Sequence, residues 1–176
     1  MTRTLALRPY HILDTLPEQE YDDITLLASQ ICATPKAVLN FLPHDRQWTK
    51  ARVGFDELEP TSIPLDESVC IHTMHNPDSL LEIPDLRTDR RTAGHPGVTG
   101  DPFMRFYAGA PLITPSGVPV GTLCVVDHVP RALTPGQIGA LQALARQVVA
   151  LLELRRTVAA LHESERRFEV FMEHSP

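Results

Sequence analysis

Three residues near the middle of the chain, Cys70, His72 and His75, are of the types that bind metals or attach cofactors. On a helix, residues 70 and 72 point roughly 200° apart, so His72 and His75 alone would share a face. Two imidazoles without a clear third ligand make a weak zinc site. We therefore predict no metal site here and expect these side chains to line a pocket or to pack.

The three cysteines, Cys32, Cys70 and Cys124, are the candidates for thiol chemistry. Cys32 is expected to end the first long helix, Cys124 to lie in a central strand, and Cys70 to lie across a pocket, so none has an obvious partner. An odd number of widely spaced cysteines does not make a disulfide framework and fits reduced thiols in a cytoplasm. The sequence predicts a cytoplasmic protein and no catalytic residue in this chain.

Composition argues against two further classes of protein. The chain has 176 residues and a net charge of −6, whereas a nucleic-acid surface needs a clustered basic patch. No run of about 18 apolar residues occurs, so we predict no membrane span. The first residues lack the continuous apolar core of a signal peptide. The length suits one domain plus an appendage.

Residues 106–127 predict two consecutive strands joined by a turn at Pro115-Ser116-Gly117. β-Branched and other large apolar residues occupy both strands. Small residues in the middle of the first strand let backbone or a ligand approach closely, namely Ala108, Gly109 and Ala110. A sheet shaped for packing or sensing is the interpretation that this hairpin favours.

Other elements precede the hairpin. Residues 1–16 are predicted to be irregular. Thr15 is predicted to cap the first long helix, and Pro17 is predicted to lie in its first turn. Its predicted apolar face is Tyr21, Ile24, Leu27, Ala28 and Ile31. Strands are expected over 36–42 and 46–53, paired as a hairpin. Residues 54–102 are rich in proline and are expected to be mostly irregular. A helix is expected over 67–75 and a short strand over 80–83. Long irregular segments inside a compact domain are usually functional or mobile.

The last predicted helix begins at Thr134-Pro135 and extends beyond the sheet. One apolar stripe continues along it with spacings of 4, 3, 3, 4, 3 and 7, in which the consecutive threes at Leu151–Leu154 resemble a stammer. It is formed by Leu144, Val148, Leu151, Leu154, Val158, Leu161 and Phe168. This spacing is typical of a coiled coil, and we expect a homodimer through this helix. The alternative is one long amphipathic helix that folds back on its own domain.

Five blocks in this order resemble the bacterial GAF domains found ahead of histidine kinases and diguanylate cyclases. They are LDTLPEQEYDDITLLAS (13–29), DRQWTKARVG (45–54), SVCIHTM (68–74), IPDLRTDRR (83–91), and FYAGAPLITPSGVPVGTLCVVD (106–127) with PRALTPGQ (130–137). The ending ESERRFEVFMEHSP (163–176) is similar to the entry helix of a PAS domain. Where the family usually has Ser-Phe-Cys and an Asp, this chain has Ser68-Val69-Cys70 and Pro43, so the filling of the pocket is expected to be unusual.

The resemblance implies an α+β, GAF-like fold with a central antiparallel sheet of five or six strands. Terminal helices would pack on one face, and a pocket would lie under the irregular crossing on the other. The expected divisions are an N-terminal segment over 1–12, the GAF domain over 13–153, a coiled-coil signalling helix over 154–167 and a truncated PAS start over 168–176.

Pocket candidates follow from this resemblance together with spacing. Phe103, Arg105 and Tyr107 alternate onto one face of the chain as it enters a central strand, and Cys70 and His72 approach from the short helix. Trp48, the one tryptophan, lies on the second strand. We expect these six residues to bind a small molecule; core packing is the alternative for Trp48 and Tyr107.

The ligand is not identified by the sequence, and no cofactor is named. Photoreceptor GAF domains attach a tetrapyrrole through Cys followed by His, whereas Ile71 follows Cys70 here. Cyclic nucleotides would need fixed cations, for which Arg87, Arg90, Arg91 and Arg105 are candidates.

The predicted function is a sensory GAF domain, non-catalytic by itself. It would bind a small molecule or a partner and signal through a dimeric C-terminal helix to a PAS domain and an output enzyme, a histidine kinase or diguanylate cyclase. The alternatives are a small redox enzyme of the free methionine sulfoxide reductase type and a ligand-free dimerisation scaffold.

Overall fold

One antiparallel sheet of six strands organises the chain in the computed structural model, which describes residues 1–174. The spatial order of the strands is β3-β2-β1-β6-β5-β4. Their bounds are β1 Lys36–Phe41, β2 Arg46–Val53, β3 Ser62–Pro64, β4 Leu81–Ile83, β5 Phe106–Ile113 and β6 Pro119–Asp127. Both predicted hairpins, β1–β2 and β5–β6, are present, and the predicted α+β fold is confirmed.

Five helices surround this sheet. They are α1 Arg3–Leu7, α2 Gln19–Cys32, α3 Cys70–Met74, α4 Pro96–Thr99 and α5 Pro135–Glu173. Side chains of α1, α2 and α5 form one apolar core with one face of the sheet. The crossing segment (residues 54–105), which joins β2 to β5 and contains α3 and α4, forms a second core with the other face. The sheet therefore has a helix face and a crossing face.

The turn between β5 and β6 is fixed by local hydrogen bonds. The amide of Thr114 donates to the carbonyl of Val118, and the amide of Gly117 donates to the carbonyl of Thr114. Gly117 has a φ of +82°, a conformation that is costly for residues with a Cβ. The predicted turn at 115–117 is confirmed.

The small residues in β5 serve packing on both faces. Ala108 and Ala110 belong to the core under the helices. A Cβ on Gly109 would lie 2.2 Å from the hydroxyl of Tyr107 and 2.9 Å from Oγ1 of Thr73. Gly109 therefore makes room for the ring of Tyr107 beneath α3.

Helix α2 differs from its prediction at its start and on one face. It begins at Gln19 with Glu18 as N-cap, while the hydroxyl of Thr15 donates to the carbonyl of Ile12 instead of capping the helix. Leu27 and Ile31 are 44% and 41% exposed, so the predicted apolar face is too wide. Thr25, Ser29 and Cys32 are buried in their place, and α2 packs against α5, β2 and β1.

The N-terminal segment was expected to be irregular, and that expectation is wrong. Residues 3–7 form α1 and residues 8–10 a 3₁₀ turn, with Leu7, Tyr10 and Ile12 buried. The burial of these apolar side chains lowers the free energy enough to order the segment against the helix face. The segment also contacts α5, because Nε of Arg155 donates to the carbonyl of Tyr10.

The crossing segment holds more regular structure than the sequence indicated. The predicted helix over 67–75 is shorter, with a 3₁₀ turn at Leu65–Glu67 followed by α3. The predicted short strand is present as β4, whereas β3 and α4 were not predicted. Strand β3 forms because its three residues pair with Arg46, Gln47 and Trp48 of β2.

Helix α5 begins where the sequence predicted. Thr134 and Gln137 form a capping box, and Pro135 occupies the first turn. The fully buried positions of α5 are Leu141, Ala145, Val148 and Leu152. From Leu154 onward the apolar side chains are exposed, so the predicted stripe divides into a packed half and an exposed half.

Residues 175 and 176, at the end of the predicted PAS start, lie outside the described residues. None of the helices within residues 1–174 is long and apolar enough to cross a membrane.

Candidate ligand-binding cavity

A cavity of about 230 Å³ lies between the crossing face of the sheet and the crossing segment. Four strands supply its floor, and the crossing segment supplies its roof. The floor residues are Val38 and Asn40 of β1, Gln47, Thr49 and Arg52 of β2, Tyr107 of β5, and Cys124 and Val126 of β6. The roof residues include Phe55, Pro60, Thr61, Ile63, Glu67, Val69, Cys70, Leu86, His95 and Met104. Pro60, Thr61 and Glu67 are exposed, so the cavity reaches solvent beside β3.

The inner wall of the cavity is apolar with one polar row across its floor. Thr49 donates from Oγ1 to Oδ1 of Asn40 over 2.7 Å, and Nδ2 of Asn40 donates to Sγ of Cys70 over 3.4 Å. Asn40 is fully buried between the apolar residues Leu39 and Phe41 of β1. A buried amide must be hydrogen-bonded to be tolerated, and this row meets that need on both sides of the amide.

Beside this row, the hydroxyl of Thr122 is buried and has no hydrogen-bond partner within residues 1–174. Thr122 pairs with Asn40 across β1 and β6. An unpaired buried hydroxyl costs on the order of 1–3 kcal/mol, but Thr122 does not line the cavity and so does not add to its polar row.

Two hydrogen bonds hold the roof of the cavity in place. The hydroxyl of Ser68 donates to Oε1 of Gln47 over 2.6 Å and ties the start of α3 to β2. Nδ1 of His95 accepts from the amide of Gly97, so Nε2 carries the proton that is donated to the carbonyl of Glu67 over 2.8 Å. Both bonds join parts of the chain that are far apart in sequence, so the roof is a fixed structure.

A thiol pair lies at the inner end of the cavity. Sγ of Cys70, at the first residue of α3, is 3.7 Å from Sγ of Cys124 in the middle of β6. The sequence predicted that no cysteine has a partner, and that prediction is wrong for these two. The pairing could not be seen in the sequence because it depends on how α3 packs against β6, 54 residues away along the chain.

Comparison with known proteins identifies the fold that builds this cavity. The family model of the GAF domain matches residues 16–152. The chain belongs to the GAF domain family.

This GAF domain is also similar to a curated protein, a cyclic di-GMP phosphodiesterase of Pseudomonas aeruginosa. The two are 33% identical over 153 residues, which is 86% of this chain and 25% of that protein. The chain therefore spans about a quarter of the length of this relative.

Solved structures share the fold of this GAF domain at low identity. The PixJ GAF domain of Thermosynechococcus elongatus, in its blue-light-absorbing form, has a TM-score of 0.63 and 14% identity, over 90% of this chain and 94% of that one. A two-component sensor histidine kinase domain of Sinorhizobium meliloti has a TM-score of 0.64 and 15% identity, over 82% and 97%. The free methionine-R-sulfoxide reductase of Neisseria meningitidis has a TM-score of 0.64 and 14% identity, over 88% and 89%.

Of the six predicted binding residues, the GAF domain brings Cys70 and Tyr107 to the cavity. Tyr107 is fully buried, and its hydroxyl shares a hydrogen bond of 2.8 Å with Oγ1 of Thr73. Burial raises the pKa of Tyr107 well above its usual value, so this phenol stays protonated.

Trp48 and His72 do not line the cavity. Trp48 lies in the helix-face core with its ring stacked on that of Phe41, at 6.3 Å between centroids. His72 is half-buried on the outer side of α3, with its ring 6.1 Å from that of His75, and burial lowers its pKa. Within residues 1–174, no group of three or more His, Cys, Asp or Glu side chains could hold a metal ion.

Phe103 and Arg105 lie outside the cavity as well. Phe103 is half exposed with a φ of +56°, because strand geometry begins only at Phe106. The guanidinium of Arg105 donates from Nη1 to the carbonyls of Val98 and Met104. The alternation that predicted one shared face for Phe103, Arg105 and Tyr107 therefore does not extend before the strand.

Three of the arginines considered for phosphate binding have other partners. Arg87 pairs with Asp85, and Arg91 pairs with Asp89. These pairs lower the pKa of each carboxyl to about 2, mainly through the hydrogen bonds from the guanidinium. Arg105 is held by carbonyls, as described above, so these three cations stabilise the crossing segment itself.

Several lining residues were missed from the sequence, above all Asn40, Gln47 and Thr49. One signal was present, since Asn40 follows three apolar residues in the strand KAVLNF and shares a face with Val38. A polar residue placed among apolar ones on a strand needs a partner, and here its partners are Thr49 on the cavity floor and Cys70 in the roof.

Proposed function

We propose that this GAF domain is a sensory and regulatory module that binds a small molecule in the cavity of the crossing face. The observation that supports the proposal is the arrangement of one polar row, Thr49–Asn40–Cys70, across an apolar and solvent-accessible cavity. Ligand sites are typically concave and apolar with a few fixed polar groups, which orient the ligand.

The lining residues favour a mostly apolar ligand with at least one hydrogen-bonding group. Arg52 lies at the cavity, but its guanidinium already donates to the carbonyls of Glu59 and Glu57. Glu59 and Glu67 add negative charge at the same end. This arrangement disfavours a phosphate group and therefore a cyclic nucleotide, because a phosphate needs free cations or backbone amides.

A route from the cavity to the signalling helix runs through β2. Gln47 and Thr49 contact the cavity, whereas Lys50 extends to the helix side. Nζ of Lys50 donates to Oε2 of Glu18, and Nη1 of Arg155 in α5 lies 2.7 Å from Oε1 of the same carboxylate. We infer that movement of β2 on ligand binding shifts α5 through Glu18.

Dimerisation through the exposed half of α5 is the second part of the proposal. Leu154, Leu161 and Phe168 are 60%, 56% and 64% exposed on the segment that extends past the sheet. A second copy of the same helix, packed as a coiled coil, would bury this stripe. The signal would then pass to a PAS domain and an output enzyme, a histidine kinase or diguanylate cyclase, in the cytoplasm.

The dimer is tested by light scattering on the purified chain. A Leu154→Asp, Leu161→Asp double variant is expected to be a monomer, because two carboxylates would enter the apolar seam. Ala160→Asp with Val170→Asp places the same charge on exposed positions outside the stripe and should leave the dimer intact. A dimer that persists in the first variant would contradict the coiled coil.

Ligand binding is tested by native mass spectrometry of the chain, followed by denaturation of the same sample. Extra mass that leaves on denaturation supports a bound small molecule. Val38→Phe, which fills the cavity from β1, should abolish that mass. Equal ligand binding by the variant would place the site elsewhere, and bare protein in both samples would favour a scaffold role.

A second candidate function is a redox enzyme acting on free methionine sulfoxide. The observation that favours it is the 3.7 Å contact between Cys70 and Cys124 at the cavity. The test is turnover of free methionine sulfoxide with a thiol reductant. Turnover that is lost in Cys70→Ser would support this function, and the absence of turnover would remove it.

A further inference from the structure

Cys70 and Cys124 are placed to react with each other. A disulfide requires an S–S distance of about 2.05 Å, and the two sulfur atoms are 3.7 Å apart, in direct contact. Both residues are buried, and both line the same cavity. For the bond to form, the two sulfur atoms must approach each other by a further ~1.7 Å.

The surroundings of the two thiols are not equivalent. Cys70 receives hydrogen bonds from the thiol of Cys124 and from the amide of Asn40, and these lower its pKa. The same contact raises the pKa of Cys124, which remains a thiol. Because the thiolate is the nucleophile in thiol chemistry, Cys70 is the residue that reacts first with an electrophile.

A small oxidant can reach Cys70. The cavity of about 230 Å³ extends from the exposed rim at Pro60, Thr61 and Glu67 to the thiols. This volume exceeds that of several water molecules, whose share of liquid is about 30 Å³ each. Hydrogen peroxide is of similar size to two waters, whereas bulky oxidants would be held at the rim.

The third cysteine has a different environment. Cys32 ends α2 on the helix face, fully buried in the core, and burial raises its pKa. It does not line the cavity. Cys32 is thus a matched internal control, because it is equally buried but has no thiol partner and no access to the cavity.

We propose that Cys70 and Cys124 form a peroxide-reactive dithiol. The Cys70 thiolate attacks one oxygen of hydrogen peroxide, the O–O bond breaks, and the leaving hydroxide takes a proton to become water. The resulting Cys70 sulfenic acid is attacked at sulfur by Cys124, the S–S bond forms, and a second water leaves. The two thiols lose two electrons in total, and the peroxide takes them up.

The disulfide would change the domain at one defined place. It would join α3, in the roof of the cavity, to β6, in its floor, and would close the inner end of the cavity covalently. Oxidation would thereby restrict how far the crossing segment can move from the sheet. This inference stands on the thiol geometry and holds whether or not a small molecule binds.

The test uses the whole chain, reduced, freed of reductant and exposed to hydrogen peroxide. Intact mass should show the loss of both thiol hydrogens, and non-reducing peptide mapping should recover one crosslinked peptide that contains Cys70 and Cys124. Cys32→Ser should behave in the same way. Cys70→Ser and Cys124→Ser should form no intramolecular disulfide, and Cys124→Ser should trap a sulfenic acid on Cys70 that dimedone labels.

Three results would overturn the proposal. They are wild-type protein that keeps all its thiols under peroxide, a crosslink that involves Cys32, and dimedone labelling that is no greater at Cys70 than at Cys32. A disulfide that forms with free methionine sulfoxide but not with peroxide would also overturn the peroxide assignment and would favour the reductase. The wild-type arm needs no variant, so a misfolded serine variant does not affect the result.

Discussion

The two faces of the sheet are made by the same strands but have opposite characters. On the helix face, Leu39, Phe41 and Leu123 are fully buried under α2 and α5. On the crossing face, Val38 and Cys124, each one residue away along the same strands, border a cavity. One face is packed to exclude space, and the other retains space under a roof of irregular chain.

Within one sheet, this difference separates a close-packed face from a face that retains open space. Close packing makes the helix face intolerant of volume changes, since each lost methylene leaves a cavity. The crossing face already contains space and a polar row, so its residues are less constrained by close packing. Neighbouring residues on one strand should therefore respond differently to the same substitution.

The largest expected effect is on the helix face. Leu123→Ala should lower the free energy of unfolding by about 2–5 kcal/mol, because a fully buried side chain leaves a cavity in a close-packed core. Val38→Ala on the crossing face should cost clearly less, because Val38 already borders open space. Urea denaturation of both variants measures the difference, and equal losses would contradict the division into two faces.

Gly109→Ala adds volume at the closest approach of α3 to the sheet. Its Cβ would overlap the hydroxyl of Tyr107, so the free energy of unfolding should fall by about 1–3 kcal/mol. Gly139 in α5 has no neighbouring atom within 4 Å of an added Cβ. Gly139→Ala should instead stabilise the chain by up to about 1 kcal/mol through helix propensity. If the midpoint of thermal unfolding shifts in the same direction for both variants, that result would contradict the packing described.

Glu18→Gln removes the carboxylate that joins β2 to α5 through Lys50 and Arg155. The side chain of Lys50 is fully buried, so the loss of its anionic partner should cost about 1–2 kcal/mol. Glu163→Gln, which breaks the exposed pair with Arg167, should cost less than about 0.5 kcal/mol. Chemical denaturation compares the two, and a negligible effect of Glu18→Gln would remove the proposed connection between β2 and α5.

The smallest expected effect is a pH dependence from the same carboxylate. Burial alone would raise the pKa of Glu18, but the hydrogen bonds and charges of Lys50 and Arg155 outweigh it and lower this pKa below 4.5. The ionised Glu18 therefore stabilises the folded state at pH values above the pKa that Glu18 has in the unfolded chain. This stabilisation is lost as the pH falls through the lower pKa that Glu18 has in the folded state. Between pH 5 and 3, wild type should lose more stability than Glu18→Gln, and parallel curves would contradict the assignment.

Much of the fold followed from the sequence because its main elements have clear periodicity. Strands β1, β5 and β6 are rich in apolar residues, β2 follows β1 after a short turn, and α5 has both a capping box and a continuous stripe. The crossing segment lacks such a pattern, so β3, whose three residues are ordered by pairing with β2, could not be predicted.

The site was less predictable because it depends on which way each side chain points. Trp48 and Thr49 are adjacent, and the pairing of β2 directs the ring to the helix core and the hydroxyl to the cavity. A β-bulge beside Asn40 shifts the register at this point. The contact between Cys70 and Cys124 required the packing of two distant elements, which no local pattern encodes.

The coupling between the two faces is tested most directly by hydrogen exchange with mass spectrometry on wild type and Val38→Phe. The added ring fills the cavity as a ligand would. We predict slower exchange in the crossing segment and a simultaneous change in α5 around residues 150–160, where Arg155 contacts Glu18. A change confined to the crossing segment, with α5 unaltered, would contradict the claim that the cavity communicates with the signalling helix.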